Sequence, residues 1–250
     1  MTVRARLSLA VLGCVLAGPL ACRFAEADEL DRAALEQRLA TLEAENHRLA
    51  QELETERGCR GQVIDSLTAF AQGPYSEVTR ASAAEALALL EARVAAREGD
   101  EKLAIVLDVD ETALSNIEQL RGSGYCFVRE EWNEWVDQGT PTAIAGIRPL
   151  YDYAREHGVA VVFLTGRSED QREATERALR AAGFDHWDHL LLREGAERGL
   201  KAAEYKSGRR AKLEAQGYVV ALVLGDQQSD LDGGHGEHSM LIPNPFYHVK

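Results

Sequence analysis

The chain has 250 residues and a formal net charge of −13 at pH 7, with 45% hydrophobic and 28% charged residues. This composition is typical of a globular protein and excludes a mostly disordered or collagen-like chain. The acidic balance also argues against a protein that binds nucleic-acid polymers, because neutralising phosphates requires a basic surface.

The N-terminus has the pattern of an export signal. Two arginines precede an apolar run over residues 7–20, which is too short for a membrane span. We therefore predict a signal peptide over residues 1–22 and an exported protein of the bacterial periplasm or cell envelope. Cys22 stands where bacterial lipoproteins carry their lipid, so a lipid anchor to the membrane is expected there. Cleavage near residues 25–27, or use of Cys14, are the alternatives.

Residues 28–57 contain no Gly or Pro and predict a coiled-coil stalk. Leucines recur there in alternating steps of three and four, at Leu35, Leu39, Leu42, Leu49 and Leu53. Asn46 occupies a core position of the same register, and a single core Asn favours two parallel strands. We expect a parallel homodimer through this stalk; the alternative is a lone helix that packs on its own domain. Gly58 ends the pattern and predicts a hinge at residues 58–62.

Residues 62–250 predict an α/β domain. Its apolar runs are short, bounded by charge or Gly, and separated by amphipathic segments, at residues 103–107, 159–164, 190–192, 219–224 and 240–242. This pattern is typical of a parallel sheet with helices on both faces. The stretch between the first two strands is longer than a crossover needs and includes the helical EEWNEWVDQG, which predicts a small helical insertion near the site.

Polar residues follow the ends of these strands, where open parallel sheets place their chemistry. They are Asp108, Asp110, Thr165, Gly166, Asp226 and Asp230, with Lys206 at a helix start. Several buried carboxylates would repel one another unless a cation lay among them. All-oxygen ligation predicts Mg²⁺, held by Asp108 and Asp226, with the Asp110 backbone carbonyl as a third ligand. Asp230 could orient metal-bound water from outside the ligand set.

Phosphoryl transfer gives each of these residues a role. Asp108 can attack phosphorus to form an aspartyl-phosphate, while Asp110 protonates the leaving alkoxide and later deprotonates the attacking water. Lys206, the Thr165 hydroxyl and backbone N–H groups near Gly166 can hold the phosphate oxygens.

These motifs resemble those of acid phosphatases of the haloacid-dehalogenase (HAD) superfamily, the group of plant acid phosphatases, vegetative storage proteins and bacterial class C lipoprotein acid phosphatases. The resemblance covers residues 102–249. Its segments are VLDVDETALSN, VVFLTGRSEDQREATERAL, YKSGRRAKLEAQGY, LGDQQSDL and IPNPFYHV. It departs from the family at Gln228, where Trp is usual, and at Ala145-Gly146, where Pro-Gly is usual.

The resemblance implies a Rossmann-like α/β fold and Mg²⁺-dependent hydrolysis of small phosphomonoesters. It implies Asp108 as the nucleophile and Asp110 as the acid/base. It implies that Thr165 and Lys206 bind the phosphate. It also implies that Asp108, Asp110 and Asp226 bind the metal, with Asp230 adjacent. Two other functions stay open: a catalytically idle storage or binding protein that keeps the fold, and a structural envelope lipoprotein.

Three further expectations concern the substrate and the remaining motifs. Trp132 and Trp135 could form a stacking shelf for the base of a 5′-nucleotide, or could only pack the insertion helix. Lys206 and Arg167, with the metal, are expected to attract an anionic substrate to this acidic chain. Cys59 and Cys126 could form a disulfide after export or stay as thiols. The PNPFY segment is expected to be a packed turn.

Overall fold

The computed structural model describes the backbone of residues 19–249 and the side chains of residues 34–249. Residues 1–18 of the predicted signal peptide, and the side chain of Cys22, lie outside the described part. The chain divides into two compact units, of which the first ends at Gln62 and the second begins at Val63. Among the described helices, none combines the length and the apolar character that a membrane crossing requires.

The first unit contains most of helix α1, which spans Pro19–Gln72. Every residue from 34 to 57 is exposed, and the five stalk leucines expose between 43% and 68% of their surface. The helix does not break at Gly58, where a hinge was predicted. A Gly inside a helix costs only about 1 kcal/mol relative to Ala, and Glu56, Arg57 and Arg60 near this one are good helix formers.

The second unit is an α/β domain. After α1, its elements in chain order are α2 (Pro74–Ala95), β1 (Lys102–Leu107), β2 (Leu114–Ser115), α3 (Ile117–Gly122), α4 (Arg129–Gln138), β3 (Thr142–Ala143), α5 (Ile147–Glu156), β4 (Ala160–Ser168), α6 (Arg172–Ala181), β5 (His189–Arg193), α7 (Ala202–Ala215), β6 (Tyr218–Gly225), α8 (Gln228–Leu231) and β7 (His238–Leu241). All five predicted apolar runs form strands.

The main sheet has five parallel strands in the order β5-β4-β1-β6-β7. The predicted fold class is therefore confirmed: a parallel sheet covered by helices. The larger hydrophobic core includes Leu103, Ile105 and Leu107 of β1, together with side chains of α2, α5 and α6. Val106 of β1 packs on the other face with residues of α7. Because both faces are buried, the strands are almost continuously apolar.

The chain leaves β1 toward β4 on one side, while β6 lies on the other side of β1. Such a reversal opens a crevice beyond the carboxyl ends of the two strands, where ligands bind in open α/β sheets. The predicted insertion follows β1 directly. It contains α3, α4 and the antiparallel pair β2–β3.

Candidate active site

Three carboxylates meet at the carboxyl ends of β1 and β6. Leu107 pairs with Leu224 in the sheet, so Asp108 and Asp226, which follow these strands closely, lie side by side. Asp230 of α8 completes the group, and one carboxylate oxygen from each residue lies within 4.8 Å of the others. Gly225 is required here, because a Cβ at this position would lie 2.2 Å from the Asp230 Cβ.

Burial makes this cluster electrostatically unfavourable without a cation. Loss of solvent raises the pKa of Asp226 to about 6, and the charge of Asp230 adds to the effect. Burial likewise raises the pKa of Asp108 well above its ordinary value, although the charge of Lys206 opposes this. A hard divalent cation would relieve the repulsion and suits an all-oxygen donor set. The residues therefore fit a metal site.

Lys206 reaches the same cluster from α7. Its Nζ donates hydrogen bonds to Asp108 Oδ1 and, at 2.6 Å, to Asp230 Oδ1. Burial by itself lowers the pKa of Lys206, but the charges of Asp108 and Asp230 outweigh it and raise the pKa above its ordinary value. The ammonium group is thus held as a cation against the proposed nucleophile.

Asp110 does not join the three carboxylates, although it was expected among the metal ligands. Arg167 holds the Asp110 carboxylate by two hydrogen bonds, and Asn116 Nδ2 donates a third at 3.0 Å. Arg167 is consequently neutralised by a neighbouring carboxylate, whereas we expected it to attract substrate. Of the groups of Asp110, the backbone carbonyl is therefore the one that could coordinate a metal, as predicted for it.

The predicted phosphate-binding segment of β4 lies next to this group. Thr165 is buried, and its Oγ1 accepts a hydrogen bond from the Arg167 backbone N–H at 3.1 Å. Gly166 is exposed and lines the cavity above the carboxylates. The β4–β5 register shifts between Leu164 and Ser168.

Two acidic side chains accept hydrogen bonds from residues that the sequence motifs did not indicate as functional. Asp226 Oδ2 accepts hydrogen bonds from Gln227 Nε2 at 2.5 Å and from Asn244 Nδ2 at 2.7 Å. Asn244 belongs to the PNPFY segment, which was expected only to pack. Phe246 of that segment is indeed buried in the core. Asn244 could have been noticed as a polar residue just after the last strand.

Glu111, beside Asp110, is the second supported acidic group. It has a positive φ of 54° and a buried side chain. Its carboxyl accepts hydrogen bonds from the Asn116 backbone N–H at 2.6 Å and from the Tyr247 hydroxyl at 2.9 Å. Burial and the charge of Asp110 raise the pKa of Glu111 to about 8. Nothing in the local sequence indicates this partner from the far end of the chain.

The candidate site opens into a cavity of about 510 Å³. Its walls include Asp108, Asp110, Lys206, Asp226 and Asp230 at one end. Aromatic side chains of the insertion and of the C-terminal segment also line it, namely Tyr125, Phe127, Trp132 and Tyr247. The cavity can therefore hold a small molecule next to the carboxylates.

The two tryptophans of the insertion have different surroundings. Trp132 lines the cavity, and its ring centre lies 6.3 Å from that of Phe127. Trp135 instead donates a hydrogen bond through Nε1 to Asn116 Oδ1 at 2.8 Å. Trp132 can contact a ligand, whereas Trp135 supports the loop that carries Asp110. Cys59 and Cys126 are both exposed.

Comparison with known proteins identifies several similar chains. The family model described as HAD superfamily, subfamily IIIB (Acid phosphatase) matches residues 23–250. Acid phosphatase 1 of Solanum lycopersicum is 38% identical over 148 residues, which are 58% of each chain. A stem 28 kDa glycoprotein of Glycine max is 36% identical over 151 residues, 58% of this chain and 59% of that one. The alignments thus span less than two thirds of these relatives.

Among solved structures, the class C acid phosphatase of Bacillus anthracis with tungstate bound superimposes with a TM-score of 0.59. The two are 25% identical, and the match covers 70% of this chain and 80% of that one.

Proposed function

Because the chain belongs to subfamily IIIB of the HAD superfamily, the acid phosphatases, we propose that it is an exported, Mg²⁺-dependent enzyme that hydrolyses phosphomonoesters through an aspartyl-phosphate. The observation that carries this proposal is the group of three buried carboxylates with Lys206 bonded to two of them. Burying several charges together costs stability, and a catalytic role would explain why the group is kept.

Asp108, Asp226 and Asp230, with the backbone carbonyl of Asp110, would hold the metal. A bound Mg²⁺ supplies positive charge that stabilises the transferring phosphoryl group. Lys206 supplies a second, permanent positive charge beside the Asp108 carboxylate. Gly166 and the Thr165 segment offer backbone N–H groups near the phosphate oxygens.

The chain's own groups account for both steps of the reaction. The Asp108 carboxylate oxygen forms a bond to phosphorus while the ester P–O bond breaks, and the departing alkoxide takes a proton from Asp110. In the second step Asp110 takes a proton from water, whose oxygen attacks phosphorus and breaks the bond to Asp108. Arg167 and Asn116 orient the ionised Asp110 carboxylate, the form that takes the proton from water, and Asp110 must take up a proton from solvent before it can protonate the alkoxide.

The test measures hydrolysis of p-nitrophenyl phosphate at mildly acidic pH. We expect activity with Mg²⁺, its loss in EDTA, and its recovery when Mg²⁺ returns. Asp108→Asn should abolish turnover, while Asp100→Asn, an exposed aspartate before β1, should not. Full activity in Asp108→Asn would remove the proposed nucleophile. A wild-type chain that hydrolyses no ester in a panel of aryl, sugar and nucleoside phosphates would favour the idle binding protein.

For the substrate, we propose 5′-nucleotides. Phe127 and Trp132 at the cavity wall offer aromatic faces on which a base could stack, and stacking is worth about 1–3 kcal/mol per base. In the same panel, nucleotides should then have a higher kcat/KM than sugar phosphates, and Trp132→Ala should remove the difference. Equal values for both classes would contradict the stacking role.

For localisation and assembly, we propose export through residues 1–22, a lipid on Cys22, and a parallel dimer through residues 28–57. Support comes from the arginine-flanked apolar run and from the exposed leucine stripe with Asn46 among its core positions. The head, residues 62–250, would then carry the enzyme. The mass of the mature N-terminal peptide decides between acylation and cleavage elsewhere.

A further inference from the structure

A second cavity of about 630 Å³ adjoins the active-site cavity. Asp110, Phe127, Trp132, Gly166 and Arg193 line both of them. Because the cavities share these walls, a substrate with its phosphate against the carboxylates can extend into the second cavity. The proposed mechanism gives no role to Arg129 and Arg193, which also line the second cavity.

Positive charge distinguishes the second cavity. Four arginines and three aspartates line it, whereas four aspartates and two cationic side chains line the first. Two of the four arginines already have carboxylate partners. Arg167 is bonded to Asp110, and Arg198 Nη2 donates to Asp170 Oδ1 at 2.9 Å.

Arg129 and Arg193 are the other two, and neither has a carboxylate partner among the residues that the structure describes. Arg193 is half-buried and held in place. Its Nη1 donates to the Leu200 carbonyl at 2.9 Å, and its guanidinium carbon lies 4.8 Å from the centre of the Tyr205 ring. Arg193 Nε is buried without a hydrogen-bond partner. Its charge is therefore positioned but not neutralised.

Arg129 begins α4 and is exposed, so its long side chain can adjust to a ligand. The third lining aspartate, Asp137, is also exposed and pairs with neither arginine. Guanidinium groups bind phosphate through short, often bidentate, charge-assisted hydrogen bonds. Two such groups beside a phosphoryl-transfer site suit a second phosphate on the same substrate.

We propose that Arg129 and Arg193 form a subsite for a second phosphate group, so that among its substrates, the proposed 5′-nucleotides included, the enzyme prefers those that carry another phosphate. The proposal rests on the proposed function, because the phosphate that is hydrolysed must lie at Asp108. The arginines then determine specificity, while the carboxylates and Lys206 carry out the reaction.

The test compares kcat/KM for alkanediol bisphosphates of increasing chain length with that for alkyl monophosphates of the same length. After correction for the two equivalent phosphates, we expect the best bisphosphate to be preferred about tenfold. The double variant Arg129→Gln/Arg193→Gln should lower this preference to about one. Arg180→Gln, at the end of α6 and outside both cavities, should keep it.

Absence of a preference at every chain length, or its survival in the double variant, would overturn the subsite while leaving the phosphatase intact. Calorimetric titration of the Asp108→Asn chain with the same ligands gives an independent reading. If the wild-type chain hydrolyses no ester, the proposed function fails. The titration then still tests whether Arg129 and Arg193 bind a second phosphate. Tighter binding of the bisphosphate that the two arginine substitutions abolish supports the subsite, and equal binding of both ligands refutes it.

Discussion

Arg167 holds the Asp110 carboxylate from two sides: its Nε donates to Oδ2 at 3.0 Å and its Nη2 donates to Oδ1 at 2.6 Å. The third guanidinium nitrogen, Nη1, donates to Thr175 Oγ1 at 3.2 Å, which fixes the guanidinium itself. The two residues follow or end neighbouring parallel strands, β1 and β4. Arg167 therefore positions the proposed acid/base relative to the nucleophile.

The first prediction concerns this pair. Arg167→Lys keeps the charge but cannot form the two-pronged contact. We expect kcat to fall at least about tenfold, because a general acid/base must be oriented toward the group it protonates, while KM changes by less than about threefold. Steady-state kinetics measure both. Arg148→Lys is the matched control, since Arg148 pairs with Asp152 on α5. An unchanged kcat in Arg167→Lys would show that Asp110 needs no orienting partner.

Lys206 provides the second prediction. Lys206→Met should lower kcat/KM by roughly 10²–10³, the usual cost of removing one preorganised electrostatic donor. It should also lower the free energy of unfolding in EDTA by about 3–5 kcal/mol, because two buried carboxylates lose their cation. Urea unfolding measures the second effect, and Lys201→Met, at an exposed position before α7, is the control. Wild-type stability in Lys206→Met would contradict the charge balance described for the cluster.

The third prediction is a fall in stability with rising pH when no divalent ion is present. Burial raises the pKa of Asp226 to about 6 and that of Glu111 to about 8. The folded chain therefore keeps protons that the unfolded chain has already released above about pH 4.5. Each group can lower the free energy of unfolding by up to about 1.4 kcal/mol per pH unit until pH passes its folded pKa.

Urea unfolding in EDTA at several pH values between about 5 and 8 measures this slope. Glu111→Gln should flatten it, whereas Glu118→Gln, an exposed position on α3, should not. A slope of the opposite sign would show that the buried carboxyls are ionised in the folded chain.

The fourth prediction concerns added Mg²⁺. A metal binds the ionised carboxylates, so protons compete with it. We expect Mg²⁺ to raise the melting temperature more at about pH 7.5 than at about pH 5, because Asp226, whose pKa burial raises to about 6, loses its proton over that range. Asp226→Asn should remove most of the shift. Equal shifts at both pH values would place the metal away from these carboxylates.

The fifth prediction tests the stalk. Leu42→Lys with Leu49→Lys places charge in the proposed dimer seam and should convert the dimer to a monomer in light scattering. Ala44→Lys with Gln51→Lys, on the outer face of the same heptads, should leave the dimer intact. We expect turnover to be nearly unchanged in both. If the wild-type chain is monomeric in light scattering, residues 28–57 do not form the proposed dimer interface.

The sequence by itself determined the strands and the order of the acidic groups along them. Each buried strand is a short apolar run, and the ends of neighbouring parallel strands must meet, so the sequence predicts that Asp108 and Asp226 lie close together. The helical insertion after β1 followed equally from its length and its pattern. These features depend on local periodicity and on sheet geometry alone.

Only the tertiary structure decided which carboxylate lies in the cluster. Asp110 and Arg167 are 57 positions apart, and their contact draws Asp110 aside while Lys206 draws Asp230 inward. Glu111 and Tyr247 are 136 positions apart. Motif spacing tells which strand end carries a side chain, but the direction of that side chain depends on charges and hydrogen-bond partners contributed by distant segments.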